Sequence, residues 1–270
     1  MQINIVDLSA AHDAHHGGKA SRLSKALQLG LPVPAGMVIT LKAIETLTVD
    51  ELSRFCDWGE LLRTLGGCVV ARSSASAEDS EDASFAGQFL TVVNIQSVDQ
   101  LLQAIIDVFQ SQDSAGVKGY MAHRSMCDRV AMSILIQRMV DPRSAGVLFS
   151  RHPVTGEDCF YIESAWGLGE SVVGGLVTPD AFRMNRELVL LERTLGDKQI
   201  AIRASAEGGV VEEHLDLCLR HKSSLTAEEL INLGELALQC LSGFGRHGFD
   251  MEWAIDENGL WLLQIRPLTA

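Results

Sequence analysis

The stretch that decides the fold closes the chain: Asp250-Met251-Glu252-Trp253-Ala254-Ile255, then Asp256-Glu257-Asn258-Gly259, then Leu260-Trp261-Leu262-Leu263-Gln264-Ile265-Arg266-Pro267. Apolar residues alternate on both sides of a turn signal, which predicts a β-hairpin. In the first strand Met251, Trp253 and Ile255 share one face and leave Asp250 and Glu252 on the other. In the second, Trp261, Leu263 and Ile265 share a face, leaving Gln264 and Arg266 with Leu260 and Leu262. A two-residue Asn258-Gly259 turn would set Glu252 against Ile265. A three-residue loop, Glu257 to Gly259, sets Glu252 against Gln264 and Asp250 against Arg266. Only the second register keeps the polar face polar, so it is the one expected. It clusters a carboxylate, an amide oxygen and a guanidinium. Two oxygens suit a hard cation such as Mg²⁺, and an adjacent arginine suits phosphate. A plain solvated face would show the same spacing.

At 270 residues the chain can bury a substantial core, as one large domain or two lobes. A formal net charge of −13 argues against a general nucleic-acid or anionic-membrane binder. Nucleotide binding stays open, because a few placed cations hold a triphosphate. Neither a signal-peptide pattern nor an uncharged bilayer-length run is present, so a soluble, cytoplasmic protein is expected. Six cysteines, at 56, 68, 127, 159, 218 and 240, form no CxxC pair, which fits reduced, mostly buried thiols. His12, His15 and His16 lack an acidic or cysteine partner pattern, so a surface loop is expected there instead of zinc.

Along the chain, an apolar strand (Ile3 to Leu8) leads to Gly17-Gly18-Lys19 and a helix to about Leu29, stopped by Gly30 and the prolines at 32 and 34. Residues 41 to 68 suggest one or two short helices. Val69 to Ser73 reads as a strand entering a small, acidic loop, and Phe89 to Ile95 as another. Ser97 with Gln100 opens a helix whose Leu101, Leu102, Ile105, Ile106 and Phe109 line one face. Ala131 to Met139 and Gly146 to Ser150 are strands joined by an Asp141-Pro142-Arg143-Ser144 turn. Phe160 to Glu163 follows, then a glycine-rich segment from Trp166 to Gly175. Thr226 with Glu229 caps a helix to about Gly243. Strands and helices mix without βαβ regularity, so an α+β fold is expected.

Three segments carry chemistry. Gly17-Gly18-Lys19 sits where a loop becomes a helix, which favours an anion, although a plain loop with a surface lysine has the same composition. Arg72 would project from a strand end into the loop that follows. Ala83 to Gln88 brackets Phe85 with small residues, as a flap over a ligand would, or as an ordinary surface loop would.

Five segments occur in order: GGKASRLSKALQLGLPVPAGMVIT (17–40), VVARSSASAEDSEDASFAGQ (69–88), ILIQRMVDPRSAGVLFSRHPVTG (134–156), ESAWGLGESVVGGLVTPD (163–180) and FDMEWAIDENGLWLLQIRPLT (249–269). Together they resemble the ATP-binding domain shared by phosphoenolpyruvate synthase, pyruvate phosphate dikinase and rifampin phosphotransferase. The resemblance implies an ATP-grasp fold in which two α+β lobes hold ATP between them. Residues 1–270 would form one module, with lobes at about 1–129 and 130–270. It implies phosphate contacts from Lys19, Arg72 and Arg266, a flap containing Gly87, and Mg²⁺ ligation by Glu252 and Gln264. Gln137, Met139 and Val140 would read the adenine edge, while Ser150 and Glu170 would lie on the phosphate and ribose sides. In the family, ATP gives its β-phosphoryl to a histidine on a separate swivelling domain and AMP leaves.

The chain departs from that pattern in three ways. It stops at Ala270 with no carrier-histidine domain following, so a partner bearing that histidine is expected. His152 holds a position usually given to Asp or Asn and is expected to be structural or at the ligand edge. Residues 41–68 are short for the family, so the first lobe should be abbreviated. A stand-alone kinase or ligase acting on a small molecule, and a non-catalytic nucleotide-binding subunit, are the competing expectations.

Overall fold

In the computed structural model, which describes residues 2–42, 48–75, 90–113, 132–245 and 248–268, helix α1 (Gly18–Gln28) lies between two antiparallel sheets. Both of its ends are fixed by identifiable bonds. At the front, Gly17 takes φ +79°, and the Ser74 hydroxyl accepts from Ala20 N–H while donating to the His16 carbonyl. At the back, Gly30 takes φ +76°; its N–H bonds Leu27 C=O and that of Leu31 bonds Ala26 C=O. That is a Schellman stop, formed by the glycine the sequence singles out. Ala20, Leu23 and Ala26 form the buried face.

The first sheet has the order β1-β2-β5-β3-β4, from Gln2–Asp7, Gly36–Lys42, Met132–Arg138, Val69–Ala75 and Thr91–Ile95. One face packs on α2 (Val49–Ser53), α3 (Trp58–Thr64) and α4 (Val98–Gln110), burying Ile39, Val69, Ala71, Ile134 and Ile136 with Leu52, Trp58, Leu101 and Ile105. β3 continues two residues past its expected end, so Arg72 sits within the strand, opposite Leu135, and projects from a sheet face.

The second sheet has the order β13-β12-β6-β7-β8-β9, from Gly259–Pro267, Phe249–Asp256, Ser144–Phe149, Phe160–Trp166, Asp180–Met184 and Leu190–Thr194. It packs on α1 and on α7 (Ala227–Phe244), whose capping box between Thr226 and Glu229 is formed as expected. A separate hairpin, β10 (Ile200–Ala204) with β11 (Val210–His214), and two short helices, α5 (Glu170–Val173) and α6 (Leu217–Arg220), complete the second lobe. The linker into β10 is pinned by a fully buried ion pair between Lys198 and Asp180, whose second oxygen accepts from Ser224. The fold is α+β and two-lobed, as an ATP-grasp arrangement requires. The chain leaves the first sheet at Arg138 and joins the second at Ser144, so the Asp141–Ser144 turn joins two sheets and not a hairpin. The division drawn near 129/130 falls before β5, which pairs within the first sheet. Among the described residues no helix is long and apolar enough to cross a membrane.

The final hairpin keeps the expected polar pairs by a different route. Asp250 faces Arg266 and Glu252 faces Gln264, but the turn is the two-residue Glu257-Asn258, with Asp256 opposite Gly259. A β-bulge at Leu263 supplies the extra residue. Below it Trp253 pairs with Leu262 and Ala254 with Trp261. The second-strand faces are therefore split: Leu260, Leu262 and Ile265 join the core with Met251, Trp253 and Ile255, whereas Trp261 and Leu263 pack with Ala254 on the other side. A bulge inverts the face pattern midway along a strand, and strict alternation cannot register that.

A Cβ placed on Gly17 would lie 2.0 Å from the Ser74 carbonyl oxygen. Gly17→Ala should therefore lower the thermal midpoint, at a cost of about 1–3 kcal/mol from strain at positive φ plus the clash. Calorimetric unfolding checks this, with Gly67→Ala, where nothing lies within 4 Å, as the control for φ alone.

Candidate functional site

The two sheets enclose a cavity of about 630 Å³. Its walls include Lys19, Arg72, Gln137, Met139, Val140, Glu170, Glu252, Gln264 and Arg266. Residues spread from the front of the chain to its end thus share one space, because α1, β3, the end of β5 and the last hairpin meet there. Of the remaining residues expected at the site, one is not described and one does not line the cavity. Gly87 lies outside the described residues. Ser150 is fully buried and absent from the cavity wall; its hydroxyl accepts from Phe249 N–H at 2.6 Å and its carbonyl accepts from Arg186. It pins the start of β12 to the end of β6, a structural task that sequence position alone does not reveal.

One end of the cavity is ionic. Arg72, 9% exposed, donates through Nη1 to the Leu263 carbonyl and through Nη2 to Gln264 Oε1 at 2.7 Å and Glu252 Oε2 at 3.3 Å. Lys19, 5% exposed, donates from Nζ to the Ser73 carbonyl at 2.9 Å. Arg266 Nε donates to both oxygens of Asp250, at 2.6 and 2.7 Å. Buried cations need such partners, since an unpaired charge out of water is costly. The Glu252 and Gln264 oxygens already hold a cationic group, so their donor set fits a hard cation. Among the described residues no three of His, Cys, Asp or Glu converge as a metal cage. A Glu–Gln oxygen pair suits an ion whose remaining ligands are water and phosphate, as is usual for Mg²⁺.

The other end is more apolar. Val70 and Val93 from the first sheet face Leu168 and Val173 of the glycine-rich segment, with the β5 exit between them. Gln137 donates to the Pro34 carbonyl and Met139 N–H to the Cys68 carbonyl, which fixes that exit. Arg138 lines the cavity and lies 4.5 Å from the Trp261 ring centroid. Val70 was absent from the expected site, although alternation along β3 puts it on the same face as Arg72. Glu170, exposed at the cavity mouth, still has enough protein around its carboxyl for desolvation to raise its pKa above the usual glutamate value. His152 is structural: Nδ1 accepts from the Val154 and Thr155 N–H groups at 3.2 Å each. An Asp or Asn side chain would cap that turn in the same way.

Comparison with known proteins bears on this geometry. The model of the family described as "Pyruvate phosphate dikinase, AMP/ATP-binding domain" matches residues 58–270. The chain belongs to this family. A Bacillus subtilis protein named "Uncharacterized phosphotransferase YvkC" is 33% identical over 94% of this chain and 33% of its own length. A "Probable phosphoenolpyruvate synthase" from Methanothermobacter thermautotrophicus is 32% identical over 94% of this chain and 44% of its own length. The chain thus spans a third to under half of these relatives. A solved dinucleotide-forming acetyl-coenzyme A synthetase from Ca. Korarchaeum cryptofilum superposes with TM-score 0.49 at 9% identity, over 93% of this chain and 92% of that one.

The raised pKa of Glu170 has a signed consequence. The folded state binds that proton more tightly than the unfolded state, so stability falls as pH rises through and above the usual glutamate range. Glu170→Gln should raise the thermal midpoint at pH 7, with the gain disappearing below about pH 4. Midpoints of both proteins across that range check this; an equal gain at every pH would contradict it.

Proposed function

We propose that the cavity binds Mg·ATP and that the chain is the nucleotide-activating module of a phosphotransferase, passing the β-phosphoryl group to a histidine on a separate carrier domain or partner, with AMP leaving and the γ-phosphate passing to water as orthophosphate. The observation that carries this reading is the convergence of Lys19, Arg72 and Arg266 with the Glu252–Gln264 oxygen pair at one end of a single cavity. Family membership supports nucleotide binding, and the names of the relatives support phosphoryl transfer.

The triphosphate lies at the ionic end and the adenine at the β5 exit. Met139 N–H is already bonded to Cys68, so the adenine edge is read through Val140 N–H or a neighbouring carbonyl. Glu170 sits at the mouth, on the ribose side. Glu252 and Gln264 would hold Mg²⁺, which would supply charge neutralisation for the bound phosphates. Phosphoryl transfer asks the protein mainly for positioning and positive charge around the developing oxyanions. Arg72 provides both once its guanidinium turns from Glu252 and Gln264 toward phosphate. Asp250 fixes Arg266 through a two-oxygen contact, so that cation is oriented before substrate arrives. The acidic net charge and dispersed cysteines support a cytoplasmic setting.

Glu252→Ala should cut Mg²⁺-dependent turnover about 100-fold or more and leave the fold intact, since the side chain meets the cavity and not the core. Arg266→Ala should lower turnover more than adenosine affinity. Phosphorus NMR of the protein with ATP, Mg²⁺ and a histidine carrier reads both variants. AMP, orthophosphate and phosphohistidine are expected; ADP with a phosphorylated small molecule would contradict the proposal.

A further inference from the structure

Asn94, the penultimate residue of β4, departs from its neighbours in two respects. It takes φ +56°, in the left-handed region, and its side chain is 1% exposed. Asparagine tolerates that region, but burying its amide requires partners for every polar atom. The partners come from the other lobe. Nδ2 donates to the Ser205 carbonyl at 2.7 Å and to the Gly209 carbonyl at 2.6 Å, while Gly209 N–H returns a bond to the Asn94 carbonyl at 3.2 Å. Oδ1 accepts from Gln96 Nε2 at 2.8 Å and from Cys68 Sγ at 3.2 Å. Ser205 and Gly209 form the tip of the β10–β11 hairpin, closed by Ser205 N–H to Gly209 C=O. Gln96 and Gln100 reach the same tip, at the carbonyls of Ser205 and Glu207.

The hairpin passes this constraint on. Ile202, in the middle of β10, bridges Gly167 and accepts from Leu168 N–H at 2.9 Å. Gly167 takes φ +79°, and a Cβ there would lie 2.3 Å from the Ile202 oxygen, so the approach is as close as a backbone permits. Leu168, Gly169 and Glu170 then form one wall of the cavity, while Thr91 and Val93, the neighbours of Asn94 on β4, form the facing wall. Asn94, the hairpin tip and Ile202 thus make a continuous relay between both walls at the apolar end.

We infer that Asn94 is a positioning residue for the nucleoside end of the cavity, setting the wall-to-wall distance there through the β10–β11 hairpin. The inference rests on the placement of adenosine proposed above. It requires that the relay govern binding of the nucleoside and leave the phosphate end, held by α1, β3 and the last hairpin, unaffected.

The test uses Asn94→Gly, which removes the amide while glycine keeps positive φ without strain. Adenosine, ATP and inorganic tripolyphosphate are titrated calorimetrically into both proteins. Adenosine and ATP affinity should fall about tenfold, the order expected when the two Nδ2 bonds that reach the hairpin tip are lost, with tripolyphosphate affinity unchanged. Turnover should show a raised KM with kcat retained. Amide hydrogen exchange without ligand should quicken at Leu168 and along residues 200–209. Equal weakening of adenosine and tripolyphosphate, or unchanged exchange at Leu168, would overturn the inference. If the unsubstituted protein binds neither adenosine nor tripolyphosphate, the nucleotide reading fails, and the exchange measurement still decides the relay. Should Asn94→Gly fail to fold, Gln96→Ala with Gln100→Ala, both at exposed positions, loosens the same tip and gives the same readouts in smaller degree.

Discussion

One extra residue in the last strand, Leu263, holds the cavity together. A bulge leaves backbone groups outside the regular ladder, and such groups must find other partners. Here the Leu263 carbonyl accepts from Arg72, and the N–H of Leu262 beside it donates to the Pro32 carbonyl at 2.7 Å. Both partners come from the first half of the chain. The irregularity that restores the pairing of Glu252 with Gln264 therefore also joins β13 to β3 and to the segment after α1. Arg22 on α1 adds a third tie, from Nε to the Ile265 carbonyl at 2.8 Å. Bonds from a charged donor, as at Arg72 and Arg22, contribute about 1.5–3 kcal/mol each, which is substantial against a typical domain's net stability of about 5–15 kcal/mol.

The same design gathers three cations at one end of the cavity, each held by protein oxygens. Lys19 rests on a carbonyl, Arg72 on a carbonyl, an amide oxygen and one carboxylate, and Arg266 on Asp250. The Ser73 carbonyl met by Lys19 and two of the three groups around Arg72 are neutral dipoles. A cavity that gathers cations at one end and places aliphatic side chains at the other fits a molecule that is itself polyanionic at one end and aromatic at the other.

How much of this was legible in the sequence follows from which patterns survive local irregularity. The Asp250–Arg266 and Glu252–Gln264 pairs were readable because burying a polar face is costly whatever the turn. The bulge that achieves the pairing was not, because alternation carries no mark for a skipped residue. The stop of α1 was readable from Gly30 and two prolines. Nothing between 181 and 214 was assigned, although that region holds four strands. β9 and β11 are exposed along their whole length, so no apolar alternation exists to be read. The bonds of Ser150 and of Asn94 were not foreseen for a related reason: the partners of a small polar residue depend on which distant backbone group it meets.

The most direct measurement of the central claim is paramagnetic broadening of arginine and lysine side-chain nitrogen signals on addition of Mn·ATP. Arg72, Arg266 and Lys19 should all broaden together, while Arg220, which pairs with Asp197 and lies off the cavity wall, keeps its line width. Broadening that spares Arg72 or Lys19, or that affects Arg220 equally, would show that these side chains do not surround one nucleotide.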